Sequence, residues 1–237
     1  MVKHLNFVVL NDNESAPELK NRWGWSIFLE SEKWRILFDA DTSPRVIEYN
    51  AEQMDINLEN LDFAFLSHYH RDHYGGFRYV GKICPGVKIY VPPGNPAFLK
   101  RWGLEPVEID KPLKLEEGLW SSGPLGAIKE QALGIEVDDA GMVVVVGCSH
   151  PGVDVLTARL KEISGKDIYL VIGGYHSPSK KVLDNLASMS RYICPAHCSG
   201  SDAKNYVKTE YPEKYYHVKT GTKREITGRN DAHKVEK

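Results

Sequence analysis

His68-Tyr69-His70-Arg71-Asp72-His73 sets three imidazoles and one carboxylate within six consecutive positions, at the spacing H-x-H-x-D-H. Neutral imidazole and carboxylate are the nitrogen and oxygen donors that zinc, iron and manganese accept, and four of them this close in sequence cannot all face apart. The chemistry on offer is a metal centre, in which a bound ion activates water or polarises a carbonyl or phosphoryl oxygen. The bland alternative is a loop of solvated histidines. A single histidine would favour that reading; this hexad does not.

Such donors need elements to hold them. Phe63-Ala64-Phe65-Leu66 reads as a short buried strand, so the hexad belongs on the loop at its end, and Gly75-Gly76 lets the backbone pass close to the site. Three later segments finish in the same way. The hairpin of Ala132–Val137 with Met142–Val146 delivers Gly147-Cys148-Ser149-His150. The apolar strand Ile168–Ile172 ends in Gly173-Gly174-Tyr175-His176, and Tyr192-Ile193-Cys194 leads into Pro195-Ala196-His197-Cys198-Ser199-Gly200. Strand ends on one side of a sheet converge on one edge, where loop residues assemble into a site. Of nine histidines, six lie on these loops: His68, His70, His73, His150, His176 and His197. His4, His217 and His233 lack such a setting and read as surface or packing residues.

Between these loops, Ser43-Pro44 opens a helix over 44–54 with Ile47, Ala51 and Met54 on one face, and Asn95-Pro96 opens a shorter one through Trp102. Val153, Leu156, Leu160 and Ile163 mark a helix stopped by Gly165, and Val182, Leu183, Leu186 and Met189 mark the next. Trp25–Glu30 and Trp34–Phe38 form a hairpin whose second arm runs into Asp39.

The hexad resembles the signature of the metallo-β-lactamase superfamily. That resemblance implies an α/β fold, a four-layered αββα sandwich, in which the irregular pieces around Val107, Leu113 and Leu119-Trp120 join the second sheet. It implies that His68 and His70 bind a first metal, that Asp72 and His73 bind a second which His197 completes, and that Asp39 supports the metal loop from behind. An Asp fixed only by turn chemistry is the other reading of Asp39. His150 fits either of two family positions. It is the ligand histidine itself, or it stands where a bridging aspartate usually stands, in which case Glu130 or Gln131 is nearest to the missing histidine. The strand Ile168–Ile172 carries no aspartate at its end, so the resemblance implies an asymmetric site, one metal tight and one weaker.

The segments Glu130-Gln131-Ala132-Leu133, Gly147-Cys148-Ser149-His150, Gly173-Gly174-Tyr175-His176 and His197-Cys198-Ser199-Gly200 are similar, more narrowly, to a subgroup. It is named for 7,8-dihydropterin-6-methyl-4-(β-D-ribofuranosyl)aminobenzene-5′-phosphate synthase. This implies one or two divalent ions, zinc first, with iron, manganese or magnesium as alternatives. The implied chemistry is either hydrolysis or attack of an aromatic amine on a pterin methylene carbon as diphosphate departs. Asp72 and His176 are the catalytic candidates, with His176 a further ligand or a group behind one. Arg71, Lys180, Lys181 and Lys204 are candidates for phosphate contacts. A metal-binding or redox protein without hydrolytic turnover is the alternative class.

Composition bounds the rest. The 237 residues, 42% of them hydrophobic, suffice for one domain over 1–227, with 228–237 a polar flexible tail. Lys+Arg 30 against Asp+Glu 32 leaves a net charge of −2, which recruits neither nucleic acid nor an anionic membrane, and no apolar run is long enough to span one. A small-molecule substrate, phosphorylated or not, and a monomer or homodimer are expected. Cys84, Cys148, Cys194 and Cys198 form no disulfide framework, consistent with a reducing cytoplasm. Cys148 and Cys198 read as small buried residues beside the site, with thiolate ligation the alternative. Trp23, Trp25, Trp102 and Trp120 either wall the substrate or fill the core.

Overall fold

The computed structural model describes residues 1–228. All but the first residue of the expected tail, together with His233, lie outside the described residues. The chain begins with β1 (His4–Asn11), β2 (Ser26–Glu30), β3 (Arg35–Phe38), α1 (Pro44–Gln53) and β4 (Phe63–Phe65). Two short helices follow, α2 (Arg71–Tyr74) and α3 (Phe77–Ile83), then β5 (Lys88–Val91), α4 (Ala97–Arg101) and β6 (Glu105–Glu108). Three strands, β7 (Leu113–Glu116), β8 (Leu119–Ser121) and β9 (Leu133–Val137), lead to β10 (Gly141–Val146). The remainder alternates: α5 (Val153–Ser164), β11 (Ile168–Gly174), α6 (Lys180–Met189), β12 (Ser190–Ala196), α7 (Gly200–Glu210) and β13 (Lys223–Thr227).

Among the described residues two sheets form, in the orders β13-β1-β2-β3-β4-β5-β6 and β12-β11-β10-β9-β8-β7. Period-2 alternation explains why they stack into four layers. Phe7, Val9, Ile36, Phe38 and Phe65 of the first sheet meet Leu133, Val143, Val145, Leu170 and Ile172 of the second in a shared core. The intervening residues face outward: Val8, Leu10, Leu37 and Ala64 onto Ile47, Ala51 and Phe77 of α1 and α3, and Val144 and Val171 onto Leu156, Leu160 and Leu183 of α5 and α6. Strands buried on both faces carry no polar stripe, which is why the run Met142-Val143-Val144-Val145-Val146 is continuously apolar.

Strands β3, β4, β5 and β6 are parallel, as are β10, β11 and β12. Their carboxyl ends, and the loops after them, therefore open on the same edge of the sandwich. One expected assignment changes: β6, with Val107, pairs with β5 in the seven-stranded sheet, while only β7 and β8 join the second. The reason is the β5-α4-β6 connection, a helical crossover that returns the chain beside the strand it left. Ser43 occupies the N-cap of α1 but makes no side-chain cap bond; Asp41 Oδ2 instead accepts the Ser43 N–H at 3.1 Å.

The Gly75-Gly76 pair has a spatial rather than a conformational reason. Both residues are helical in φ, but a Cβ at Gly75 would run into the Thr42 carbonyl oxygen and one at Gly76 into that of Ala40. The loop after β3 thus lies flush against α2, with the Ala40 N–H donating to His73 O at 2.7 Å. Among the described residues no helix is long and apolar enough to cross a membrane.

Candidate metal centre

The six loop histidines meet at the edge to which the parallel strands point. The His68 ring lies 4.6 Å from that of His70, 4.7 Å from His150 and 4.2 Å from His73, centroid to centroid. His70 and His150 close a first group at 4.8 Å. On the other side, Asp72 Oδ2 is 3.7 Å from His73 Nε2 and 3.4 Å from His197 Nε2, and the His73 and His197 rings are 5.0 Å apart. Donor atoms of Asp72, His73, Cys148 and His197 all fall within 4.8 Å of one another, as do those of His68, Cys148 and His150.

Each buried imidazole is turned by a group behind it. His73 Nδ1 contacts Asp39 Oδ2 at 2.6 Å, His150 Nδ1 contacts Glu130 Oε2 at 2.8 Å, and His197 Nδ1 contacts Asn13 Oδ1 at 3.2 Å. His68 Nδ1 meets Ser67 Oγ at 2.9 Å, and that hydroxyl donates onward to Asp39 Oδ2 at 2.6 Å. With the Nδ1 side committed, Nε2 of His68, His73, His150 and His197 is left for the interior of the site. His197 Nε2 is buried without a hydrogen-bond partner. This imidazole nitrogen, 3.4 Å from the Asp72 carboxylate and beside imidazoles whose far sides are anchored, fits a divalent ion.

The charges behind the ligands are themselves buried. Asp39 and Glu130 are both fully inaccessible. Burial pushes the Asp39 carboxyl well above its usual range, against the hydrogen bonds from Ser67. For Glu130 the same burial is overcome by His150, by His68 and by the backbone N–H groups of Ser149 and His150, which hold it at about 2. Glu130 accepts from the N–H groups of Cys148, Ser149 and His150 at 2.7 to 2.8 Å, so one carboxylate shapes the whole loop after β10. Burial lowers His68 and His70, and it lowers His73 to about 3, keeping these rings neutral and able to ligate. Burial would raise Asp72, but contact with His197 and His73 holds it well below the ordinary carboxylate range.

His68, His70, Asp72, His73, His150 and His197, the residues singled out from sequence, thus lie at one edge. His150 sits with His68 and His70, and Glu130 lies behind it as an acceptor. β10 thus ends on the side of His68 and His70, and Glu130 faces the far nitrogen of the His150 ring. His176 follows β11, the strand whose end carries no aspartate. Its ring is exposed, 4.5 Å from His150, at a left-handed φ of 50°. Asp39 satisfies both readings at once, being left-handed at φ 50° and bonded to the metal loop through Ser67.

Reading by residue type passed over Asn13 and the anchoring role of Glu130, since an amide or a carboxylate on a polar loop carries no local signal. Trp25 is core, whereas Trp23 is 63% exposed, its Nε1 donating to Asp72 Oδ2 at 3.1 Å. His4 pairs with Glu32 and His217 with Glu14. Lys204 is engaged by Glu14 and Lys180 lies over the Tyr206 ring.

Two sheets between helical layers, with an H-x-H-x-D-H loop and three further histidines at one edge, define a metallo-β-lactamase-type protein. The chain belongs to the metallo-beta-lactamase superfamily, whose family model matches residues 24–179. Among curated proteins it is similar to the 7,8-dihydropterin-6-methyl-4-(beta-D-ribofuranosyl)-aminobenzene-5'-phosphate synthase of Methanocaldococcus jannaschii, 27% identical over 84% of this chain and 88% of that protein. Its fold is shared with a metal-dependent hydrolase of the β-lactamase superfamily, at a TM-score of 0.81 and 22% identity over 94% of this chain and 99% of the other. A diphosphatase of the PhnP family has the same fold at 0.64 and 14%, over 95% and 98%.

Proposed function

We propose that this protein is a metal-dependent enzyme holding one or two divalent ions between His68, His70 and His150 on one side and Asp72, His73 and His197 on the other. Its substrate is a small phosphorylated molecule with a planar ring, and its reaction is of the kind named for the M. jannaschii synthase. The observation that carries the metal reading is the set of four imidazoles anchored through Nδ1 with Nε2 turned inward, one of them orphaned. Zinc suits an imidazole-rich set, with iron, manganese or magnesium as alternatives.

When bound, such ions supply Lewis-acid chemistry, polarising phosphoryl oxygens and easing departure of an anionic leaving group. The chain's own residues do the rest. Trp23 presents an open indole face, fixed in plane by its bond to Asp72, on which a flat heterocycle can stack. Asp72, held ionised, accepts the proton of the attacking group. In the synthase reading that group is an aromatic amine, whose nitrogen forms a bond to the pterin methylene carbon as diphosphate leaves. His176 at the rim donates to the departing oxygen, and Arg71, exposed beside Asp72, contacts phosphate. The free thiols Cys84, Cys148, Cys194 and Cys198 suit a cytoplasmic setting.

A hydrolase is the second reading, favoured by the partial opening of Asp72 to solvent, which lets a water approach the same carboxylate. Metal-loaded protein is to be offered a dihydropterin methyl diphosphate with an aryl ribofuranoside phosphate, and separately phosphodiesters, lactones and thioesters. Condensation with no turnover of the panel supports the synthase. Panel hydrolysis without condensation replaces it with the hydrolase, and inactivity on both leaves a metal-binding or redox protein. Trp23→Ala, which removes an exposed ring, is expected to raise KM about tenfold with kcat little changed, equivalent to roughly 1.4 kcal/mol of lost stacking.

A further inference from the structure

Resting on the two-metal reading above, we propose that Cys148 supplies a bridging thiolate ligand between the two metal positions, in the role for which the end of β11 offers no carboxylate. Three candidate donor sets can be drawn at this edge: Asp72 with His73 and His197, His68 with His150, and His176 with Cys198. Cys148 Sγ belongs to each of them. No other side chain among the described residues is common to all three.

The placement is built. Cys148 is 4% exposed, and its Sγ lies 3.2 Å from His73 Nε2, the nitrogen turned toward the second metal position. Its backbone N–H donates to Glu130 Oε1 at 2.8 Å, the same carboxylate that orients His150 on the first position. One buried anchor thus sets the thiol and the opposite histidine in register. The orphaned Nε2 of His197 faces the same space and points independently to a ligand there.

Charge makes the same case. Two dications facing neutral imidazoles, with Asp72 the one carboxylate among the ligands and Glu130 behind His150, would still leave an excess of positive charge in a buried pocket. His176, at the end of β11, cannot offset it, since an imidazole brings no negative charge and this one is exposed. A thiolate adds the missing negative ligand, and sulfur is a favoured donor for zinc and for its cobalt substitute. A thiol that ligates a cation releases its proton to buffer, since a coordinating thiol is deprotonated outright.

The test uses full-length protein reconstituted with two equivalents of zinc or cobalt(II), with metal content measured by elemental analysis. X-ray absorption of the zinc form is expected to show a sulfur scatterer at about 2.3 Å. The cobalt form is expected to show near-ultraviolet thiolate-to-cobalt charge transfer that survives Cys198→Ser and vanishes in Cys148→Ser. Cys148→Ser is further expected to weaken binding of the second equivalent at least tenfold. Two bound metals with nitrogen and oxygen scatterers alone, or a band that disappears with Cys198→Ser and persists in Cys148→Ser, overturns the bridge and leaves the metal centre standing. A protein that binds no metal overturns both. Should Cys148→Ser fail to fold, the Cys198→Ser variant decides: its zinc form keeps the sulfur scatterer if Cys148 is the ligand and loses it if Cys198 is.

Discussion

Glu130 shows how much one side chain can organise. Four donors converge on a carboxylate with no solvent access: three successive backbone N–H groups and the His150 ring. Replacing it strands those donors in the interior, where each unsatisfied group costs about 1–3 kcal/mol. Glu130→Ala is therefore expected to lower unfolding free energy by about 3 kcal/mol or more in denaturant titrations, and to release His150 from the first metal group. Asp41 makes a different prediction. Burial raises its carboxyl to about 6, against bonds from the Thr42 and Ser43 backbone. An acid raised in this way holds more protons folded than unfolded between about pH 4 and 6, so its contribution to stability is lost as pH rises through that window. The difference between metal-free wild type and Asp41→Asn should change across it by about 3 kcal/mol at most, roughly two pH units' worth. A flat difference would remove Asp41 from the account.

Elements act here through their ends. Asp39, Ser149, His176 and His197, at or just beyond the carboxyl ends of β3, β10, β11 and β12, are non-glycine residues in the left-handed region. Such conformations cost energy and persist where surroundings fix them. For His197 the fixing groups come from the loop after β1: Asp12 Oδ1 accepts its N–H at 2.6 Å, and the Asn13 amide donates to its carbonyl at 2.8 Å. Close approach between neighbouring ends leaves no room for side chains. A Cβ at Gly174 would lie 2.5 Å from Gly147 O and 2.7 Å from Cys198 Sγ. Gly174→Ala should accordingly cost about 1–3 kcal/mol, as overpacking does, and spread the loops of β10 and β12. Thermal unfolding and metal stoichiometry of the purified variant, measured together, check it; unchanged values in both would show that the loops yield freely.

At the scale of the molecule, the sandwich and the candidate metal centre are separable. Its apolar cores lie between and outside the sheets, away from the histidine edge. Chelation should leave far-ultraviolet dichroism intact while lowering the melting temperature; at a metal concentration about 100 times Kd, binding adds about 2.7 kcal/mol, or on the order of 5–10 °C. Loss of secondary structure on chelation would mean that ions hold the sheets together. The unbroken apolar run of Met142–Val146, the helical spacing of Val153 to Ile163 and the H-x-H-x-D-H loop were legible from residues alone, because hydrophobicity, period and donor type are local properties. The sheet that β6 joins was not, since a crossover's return is decided by what it packs against. Nor was the side on which His150 stands, the anchoring of four rings by Asp39, Glu130, Ser67 and Asn13, or the convergence of three donor sets on Cys148. By itself the chain determined which groups could ligate and that they would sit at strand ends. Which of them face one another was decided only by the tertiary structure, because parallel strands from two sheets bring together residues more than a hundred positions apart, such as Asp72 and His197, and no local rule sets those distances.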